Sequence, residues 1–324
     1  MKTFFFEAFD EERNALLEFG CSELEHDMSW KTIQEYFSGG IPDMPPADII
    51  SVRTQSIIPL KWAPHLKAIL TRSTGFDHLV RYCAAVQQPP KCGYLPLYCN
   101  RSVAEQALTL WMALLRRLPL QMSHFSSFDR DGLTGRETFG KRLLVIGVGH
   151  IGSEIVAIGR GLGMEVKGID LVRKMDDLEY ITFENGAPWA DIVAVAMNLN
   201  DSNNGYFTAE RLAMLRPGAI LVNIARGDFT PLAPLADAIE SGRLGGAGLD
   251  VFEQETAIGP NLRGNAQMDS ESPLARLARH PNVILTPHNA FNTIEAVRRK
   301  SEQSVQQLRH FIDTGVFIWP VKVV

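Results

Sequence analysis

The sequence lacks any apolar run near the roughly 20 residues that a membrane-spanning helix needs, and it has no internal repeat and no low-complexity tract. Neither sign of charge dominates. Lys and Arg number 32 against 37 Asp and Glu, a net charge of −5, so there is no global electrostatic footprint for nucleic acid or an anionic membrane. Only four cysteines occur (Cys21, Cys83, Cys92, Cys99), with no CxxC pair and no histidine clustered beside them, a pattern that suggests neither a zinc site nor a disulfide scaffold; no metal is expected. The opening MKTFFFEAFDEER has a short apolar run, but acids follow at once and no small-residue cleavage site appears. It reads as a first β-strand and not a signal peptide, and the expected compartment is the cytoplasm. What is present is an ordinary globular composition over 324 residues, enough chain for two domains.

Up to about residue 100, short apolar runs alternate with helix-like stretches: TFFFEAF (3–9) before ERNALLEF, ADIISVRT (47–54) before a short helix, LKAILTRS (66–73) before FDHLVRYCAAV, then GYLPLYC ending at Cys99. Such alternation implies βα units on a mostly parallel sheet. At Ser102 a second block opens. Ser102 and Glu105 have capping-box spacing ahead of the long helical stretch AEQALTLWMALLRRL, which Pro119 is expected to stop. Strand candidates follow at 143–149, 164–170, 191–197, 219–225, 246–252 and 282–288, with helices near 151–162, 208–215, 231–241 and 273–280, and 257–272 reads as a polar loop. The last 36 residues carry a helical pattern (Ile294, Val297, Val305, Leu308, Phe311) and the strand-like VFIWPVKVV, too little for a third domain. The expected fold is α/β with two doubly wound parallel-sheet domains: a Rossmann cofactor domain (102–289) inserted into a flavodoxin-like substrate domain (1–101 plus 290–324).

Gly147-Val148-Gly149-His150-Ile151-Gly152 follows a strand and opens a helix, and Asp170 lies 18 residues beyond Gly152 at the end of the next strand. This is the context that a dinucleotide site requires. Gly147 permits the turn, Gly149 a close backbone approach to pyrophosphate, and Gly152 tight helix–strand packing, with His150 and Ile151 at the helix N-terminus. Asp170 suits the adenosine ribose hydroxyls and disfavours a 2′-phosphate, so the expected cofactor is NAD.

Three later segments each place a polar residue at a strand end: Asn223-Ile224-Ala225-Arg226-Gly227, Leu249-Asp250-Val251-Phe252-Glu253-Gln254-Glu255 and Thr286-Pro287-His288. Taken singly, such an arginine, glutamate or histidine is more often a solvated charge or a satisfied structural residue. Their weight comes from appearing together downstream of the fingerprint.

At this point the chain resembles the D-isomer-specific 2-hydroxyacid dehydrogenases over nearly its whole length, in RSTGFDHL (72–79), YCNRSVAEQAL (98–108), GKRLLVIGVGHIG (140–152), VNIARGDF (222–229), GLDVFEQE (248–255) and NVILTPHNAF (282–291). Tyr98, Glu255-Thr256 and Phe291 look like the D-lactate dehydrogenase branch. The resemblance implies a catalytic triad of Arg226, Glu255 and His288, substrate contacts at Thr74, Gly75, Arg53, Tyr98 and Phe291, Asp250 beside the nicotinamide, a site between the domains, and a homodimer. Its implied activity is hydride transfer between NAD(H) and a small 2-oxo or 2-hydroxy acid of D configuration. Two departures stand out. Ala196 and Asn198 replace a His-x-Pro common in the family, and Arg53 stands where D-lactate dehydrogenases tend to carry tyrosine and phosphoglycerate dehydrogenases arginine. A phosphorylated or dicarboxylic substrate is therefore the alternative, and a non-catalytic corepressor-like scaffold a distant third.

Overall fold

The computed structural model describes residues 1–265 and 268–322. The chain divides into two compact units, one made of Met1–Cys99 together with the segment from Asn292 on, the other of Asn100–Phe291.

The first unit is built on five strands: β1 (Thr3–Phe5), β2 (His26–Met28), β3 (Ile49–Val52), β4 (Ala68–Thr71) and β5 (Lys91–Gly93). They lie in the order β2-β1-β3-β4-β5, all parallel, the flavodoxin-like arrangement. Every residue of β1, β3 and β4 is buried, which is why these segments read as continuous apolar runs and do not alternate. One face packs on Phe4, Phe6, Ile50, Val52, Trp62, Ile69 and Leu79. The late helix Ile294–Thr314 belongs to this unit; Thr293 caps it through Ala296 N–H at 3.2 Å, and Gly315 (φ 78°) closes it. The tail then runs antiparallel beside β5, with Tyr94 N–H donating to the Trp319 carbonyl (3.1 Å) and Val321 N–H to that of Cys92 (2.8 Å). Residues 323–324 of VFIWPVKVV lie outside the described residues.

The second unit has seven strands: β6 (Arg142–Ile146), β7 (Glu165–Ile169), β8 (Glu179–Tyr180), β9 (Ile192–Val195), β10 (Ala219–Asn223), β11 (Leu244–Leu249) and β12 (Val283–Leu285). Their order is β12-β11-β10-β9-β6-β7-β8, again all parallel. Counted from β6, that is the Rossmann order with one strand added, and its topological switch point lies between β6 and β9.

Three local expectations are corrected. Ser102 does not cap a helix: the helix begins at Asn100, Ser102 is buried inside it, and its Oγ donates to the Phe291 carbonyl at 3.3 Å while Glu105 pairs with Arg101. Pro119 is not the stop, because the helix ends at Leu115 and Pro119 sits in the first turn of the next helix, Leu118–His124, where its missing N–H costs nothing. The polar stretch 257–272 is not all loop. A helix runs over Glu255–Arg263, and another starts at Pro273 with Ser272 accepting Ala275 N–H; residues 266–267 lie outside the described residues.

Candidate active site

Parallel strands deliver everything that follows them to one edge of their sheet. In the second unit that edge receives the glycine turn after β6, Asp170 after β7, Arg226 after β10, Asp250 and Glu255 after β11, and His288 after β12.

The glycine turn is dictated by space. Gly147 has φ 91°, and a Cβ there would come within 2.4 Å of the Met197 nitrogen in the segment after β9. At Gly152 a Cβ would lie 2.0 Å from the Gly147 carbonyl oxygen. Gly149 is different: a Cβ would meet only open space, with Lys174 Nζ the nearest atom at 4.0 Å. The helix His150–Gly161 starts immediately after it with no side-chain cap, leaving its first N–H groups for a ligand. Asp170 is pinned to this turn. Its Oδ2 accepts Val148 N–H at 2.6 Å and its Oδ1 accepts Val172 N–H at 3.0 Å.

The Arg226, Asp250, Glu255 and His288 segments interlock. Asn223, fully buried, accepts Ala225 N–H (3.1 Å) through its side-chain oxygen and donates to the carbonyl of Arg226 (2.8 Å) and to Thr230 Oγ1 (3.0 Å). Gly227 lets this loop approach the next one so closely that a Cβ would fall 2.1 Å from the Phe252 carbonyl. Asp250 is also fully buried, and its carboxylate accepts Thr286 Oγ1 (2.5 Å), Asn289 N–H (2.8 Å) and Ala290 N–H (2.9 Å). It therefore holds the turn that carries His288.

His288 itself sits at φ 52°, a left-handed conformation uncommon for a residue with a side chain. Its N–H donates to the carbonyls of Asp250 (2.8 Å) and Thr286 (2.9 Å), which keeps it there. Its Nδ1 lies 2.7 Å from Glu255 Oε2, and Glu255 Oε1 accepts Phe252 N–H at 3.0 Å. The glutamate is thus fixed at both oxygens, the imidazole at one nitrogen. Both side chains remain partly exposed, at 19% and 16%. Phe291, three residues on, is buried.

In the first unit the same logic places Arg53 after β3, Thr74 and Gly75 after β4, and Tyr98 after β5. Glu7, nearly buried and at φ 57°, accepts the N–H groups of Arg53 (2.9 Å) and Gln55 (3.2 Å). Thr74 Oγ1 donates to the Leu95 carbonyl at 3.1 Å, and Ser73 Oγ donates to the carbonyl of Gly75 at 2.7 Å. Tyr98 is buried, which pushes its hydroxyl well above the ordinary range, so it stays protonated. Its carbonyl accepts Arg299 Nε at 2.9 Å. The holding residues Asn223, Thr286 and Glu7 carry no motif of their own. A hydroxyl two residues before the histidine and an amide three before the arginine are the only traces they leave in sequence.

A profile of the D-isomer-specific 2-hydroxyacid dehydrogenase NAD-binding domain matches residues 108–290. The D-lactate dehydrogenase of Streptococcus agalactiae is 32% identical over 269 residues, 80% of each chain. The chain belongs to the D-isomer-specific 2-hydroxyacid dehydrogenases. Another relative, an aromatic 2-oxoacid reductase of Clostridium sporogenes, is 31% identical over 252 residues, 76% of each chain. The crystal structure of a D-lactate dehydrogenase from Aquifex aeolicus, complexed with NAD and lactic acid, superposes with a TM-score of 0.85 at 27% identity and covers 98% of both chains. This 2-hydroxyacid dehydrogenase is accordingly an NAD-linked oxidoreductase of 2-oxo and 2-hydroxy acids, with the motifs of the D-lactate dehydrogenase branch. The glycine turn fits the cofactor: bare backbone at Gly149, an uncapped helix N-terminus, and an acid held beside the turn. Among the described residues no group of three or more His, Cys, Asp or Glu could hold a metal ion, and no helix is long and apolar enough to cross a membrane.

Proposed function

We propose that His288, Glu255 and Arg226 carry out reduction of a small, unphosphorylated 2-oxo acid to its D-2-hydroxy acid, a D-lactate dehydrogenase-like reaction. The observation that carries this reading is the 2.7 Å pairing of His288 Nδ1 with a glutamate anchored at its other oxygen. The pairing leaves the far ring nitrogen to face substrate and fixes the tautomer when the ring is neutral. NAD, when bound, supplies or accepts the hydride. Arg226 grips the carboxylate and draws charge onto the carbonyl oxygen, Thr74 and Gly75 add donors to the carboxylate, and His288 delivers the proton to the oxygen. Asp250 serves by holding the 286–290 turn and would stand beside the nicotinamide. Gly147, Gly149, His150, Ile151 and Gly152 would hold the pyrophosphate, and Asp170 the ribose.

Placing Asp170 at the ribose predicts cofactor choice. A 2′-phosphate would meet its carboxylate, with Arg173 and Lys174 as partial compensation. We expect NADH to exceed NADPH in kcat/KM by at least ~10-fold, about 1.4 kcal/mol. Equal values would remove Asp170 from that role.

Tyr98 and Phe291 offer apolar surface to the group on C3, which favours pyruvate and its aliphatic or aromatic homologues. One methylene changes such preferences by only ~10–200-fold, so neighbouring chain lengths should also react. A panel of pyruvate, phenylpyruvate, 4-methyl-2-oxopentanoate, hydroxypyruvate and 3-phosphohydroxypyruvate, read by NADH oxidation, tests this. Arg53→Leu should leave pyruvate kinetics nearly unchanged. If it abolishes activity on a phosphorylated or dicarboxylic acid and spares pyruvate, the substrate class is the other one.

We further propose a homodimer in the cytoplasm. Support for the dimer comes from the second unit's exposed apolar side chains after the long helix Asn100–Leu115, namely Met122, Phe125, Phe128 and Phe139, each at least 70% exposed. None of the four cysteines is in a disulfide, in keeping with a reducing compartment.

A further inference from the structure

The first unit contains a fully buried charge network that the reaction as described does not use. Glu12, on the helix Asp10–Glu18, Arg72, just past β4, and Lys300, on the helix Ile294–Thr314, all have 0% exposure. One carboxylate oxygen, Glu12 Oε1, receives both Arg72 Nε (2.8 Å) and Lys300 Nζ (2.9 Å). The rest of the Arg72 fork reaches Ser51 Oγ in β3 (3.0 Å) and the Phe6 carbonyl after β1 (2.6 Å). Lys300 also lies over the Phe9 ring, 4.9 Å from its centroid.

The positions of these contacts along the chain matter. Ser51 is two residues before Arg53, Arg72 two before Thr74, and Lys300 follows Arg299, whose Nε holds the Tyr98 carbonyl. The strand ends before Arg53 and Thr74 are thus tied to the network through Ser51 and Arg72, and the Tyr98 turn to the helix that carries Lys300. We propose that Lys300 is a positioning residue for substrate binding: its ammonium, paired with Glu12, holds in one frame the strand ends that carry Arg53, Thr74 and Gly75 and the turn that carries Tyr98. This rests on the substrate roles given above.

A stability role alone does not explain the lysine. Glu12 already has a full partner in Arg72, so a buried ammonium adds a second cation to a balanced pair, and such groups are often replaced by apolar ones without loss. The groups facing Lys300 are Glu12 from the first helix, Arg72 from the end of β4, Arg53 from the end of β3 and Cys99 beside Tyr98, with Arg299 as its own neighbour. Burial dominates and, with Arg53 and Arg72, outweighs Glu12; it brings the ammonium down to about 7. The network can therefore lose its proton, and its grip, in the physiological range.

The test compares wild type, Lys300→Met and Lys300→Arg, reading KM for a 2-oxo acid between pH 6 and 9 as ratios to wild type at each pH. For Lys300→Met the ratio to wild type should be at least ~5 at pH 6 and fall toward 1 at pH 9, as wild type itself loses the charge. For Lys300→Arg the ratio should be near 1 at pH 6 and below 1 at pH 9. KM for NADH and kcat should hold, and the Tm of Lys300→Met at pH 6 should equal or exceed that of wild type. Ratios that do not vary with pH overturn the proposal, as does a Tm that falls together with the binding. A wild-type enzyme that reduces no 2-oxo acid defeats the functional reading itself, and is distinguishable from an active enzyme whose ratios are flat.

Discussion

His288→Ala should lower kcat for 2-oxo acid reduction by at least ~100-fold, the usual scale for losing a positioned general acid, with the KM for NADH unchanged. The magnitude follows from what is left. On the proposed roles, Arg226 still polarises the carbonyl but the positioned proton donor is gone. Glu255→Gln should show a different signature. At 2.7 Å Glu255 holds the ring at Nδ1, and the amide oxygen of Gln can still accept that hydrogen bond. Orientation should then survive, so kcat should fall less in Glu255→Gln than in Glu255→Ala. Equal losses in the two variants mean the pair does not work by orienting the ring.

Residues that act through the backbone of their own neighbourhood were the legible ones. The GxGxxG spacing could be read because two of its glycines answer a clash only a few residues or one strand away, as at Gly152 against the Gly147 carbonyl, while the third leaves bare backbone for a ligand. The buried strands were legible because β1, β3, β4, β9 and β10 admit apolar or small residues at nearly every position. Boundaries were harder. The capping-box spacing at Ser102 misled because the helix already runs from Asn100, so the hydroxyl turns to the Phe291 carbonyl, 189 residues away in sequence. Gly259 and Pro260 hid the helix Glu255–Arg263, whose first residue is held by its own pairing with Phe252 N–H. The candidate catalytic residues were named by family likeness, since nothing local announces that positions 33 residues apart will meet as Glu255 and His288 do. The Glu12, Arg72 and Lys300 network left no trace at all: its members are 60 and 288 residues apart, and each, read alone, is a charge on a helix or at a strand end.

That network carries the largest expected effect on stability. Glu12 is fully buried, and although burial opposes its charge, Arg72, Lys300 and Arg53 together bring its carboxyl down to about 2. Glu12→Ala takes the acid from two buried bases, leaving the Arg72 guanidinium uncompensated and Lys300 to shed its proton, a loss on the order of 3–5 kcal/mol. At about 2.1 cal/mol/K of unfolding entropy per residue, that corresponds to a fall in Tm of roughly 4–7 °C for 324 residues. The pH dependence has a definite sign. A carboxyl whose folded value lies below its unfolded one stabilises fully above the unfolded value, near 4.5, and loses that contribution as pH falls through about 2. The Tm gap between wild type and Glu12→Ala should therefore be widest above pH 5 and narrow steadily toward pH 2. Adding Lys300→Met to Glu12→Ala should recover part of the loss, because it removes a buried amine that has lost its acid. If the double variant is no more stable than Glu12→Ala, the cost lies in the cavity left by the glutamate side chain and not in the charges it balanced.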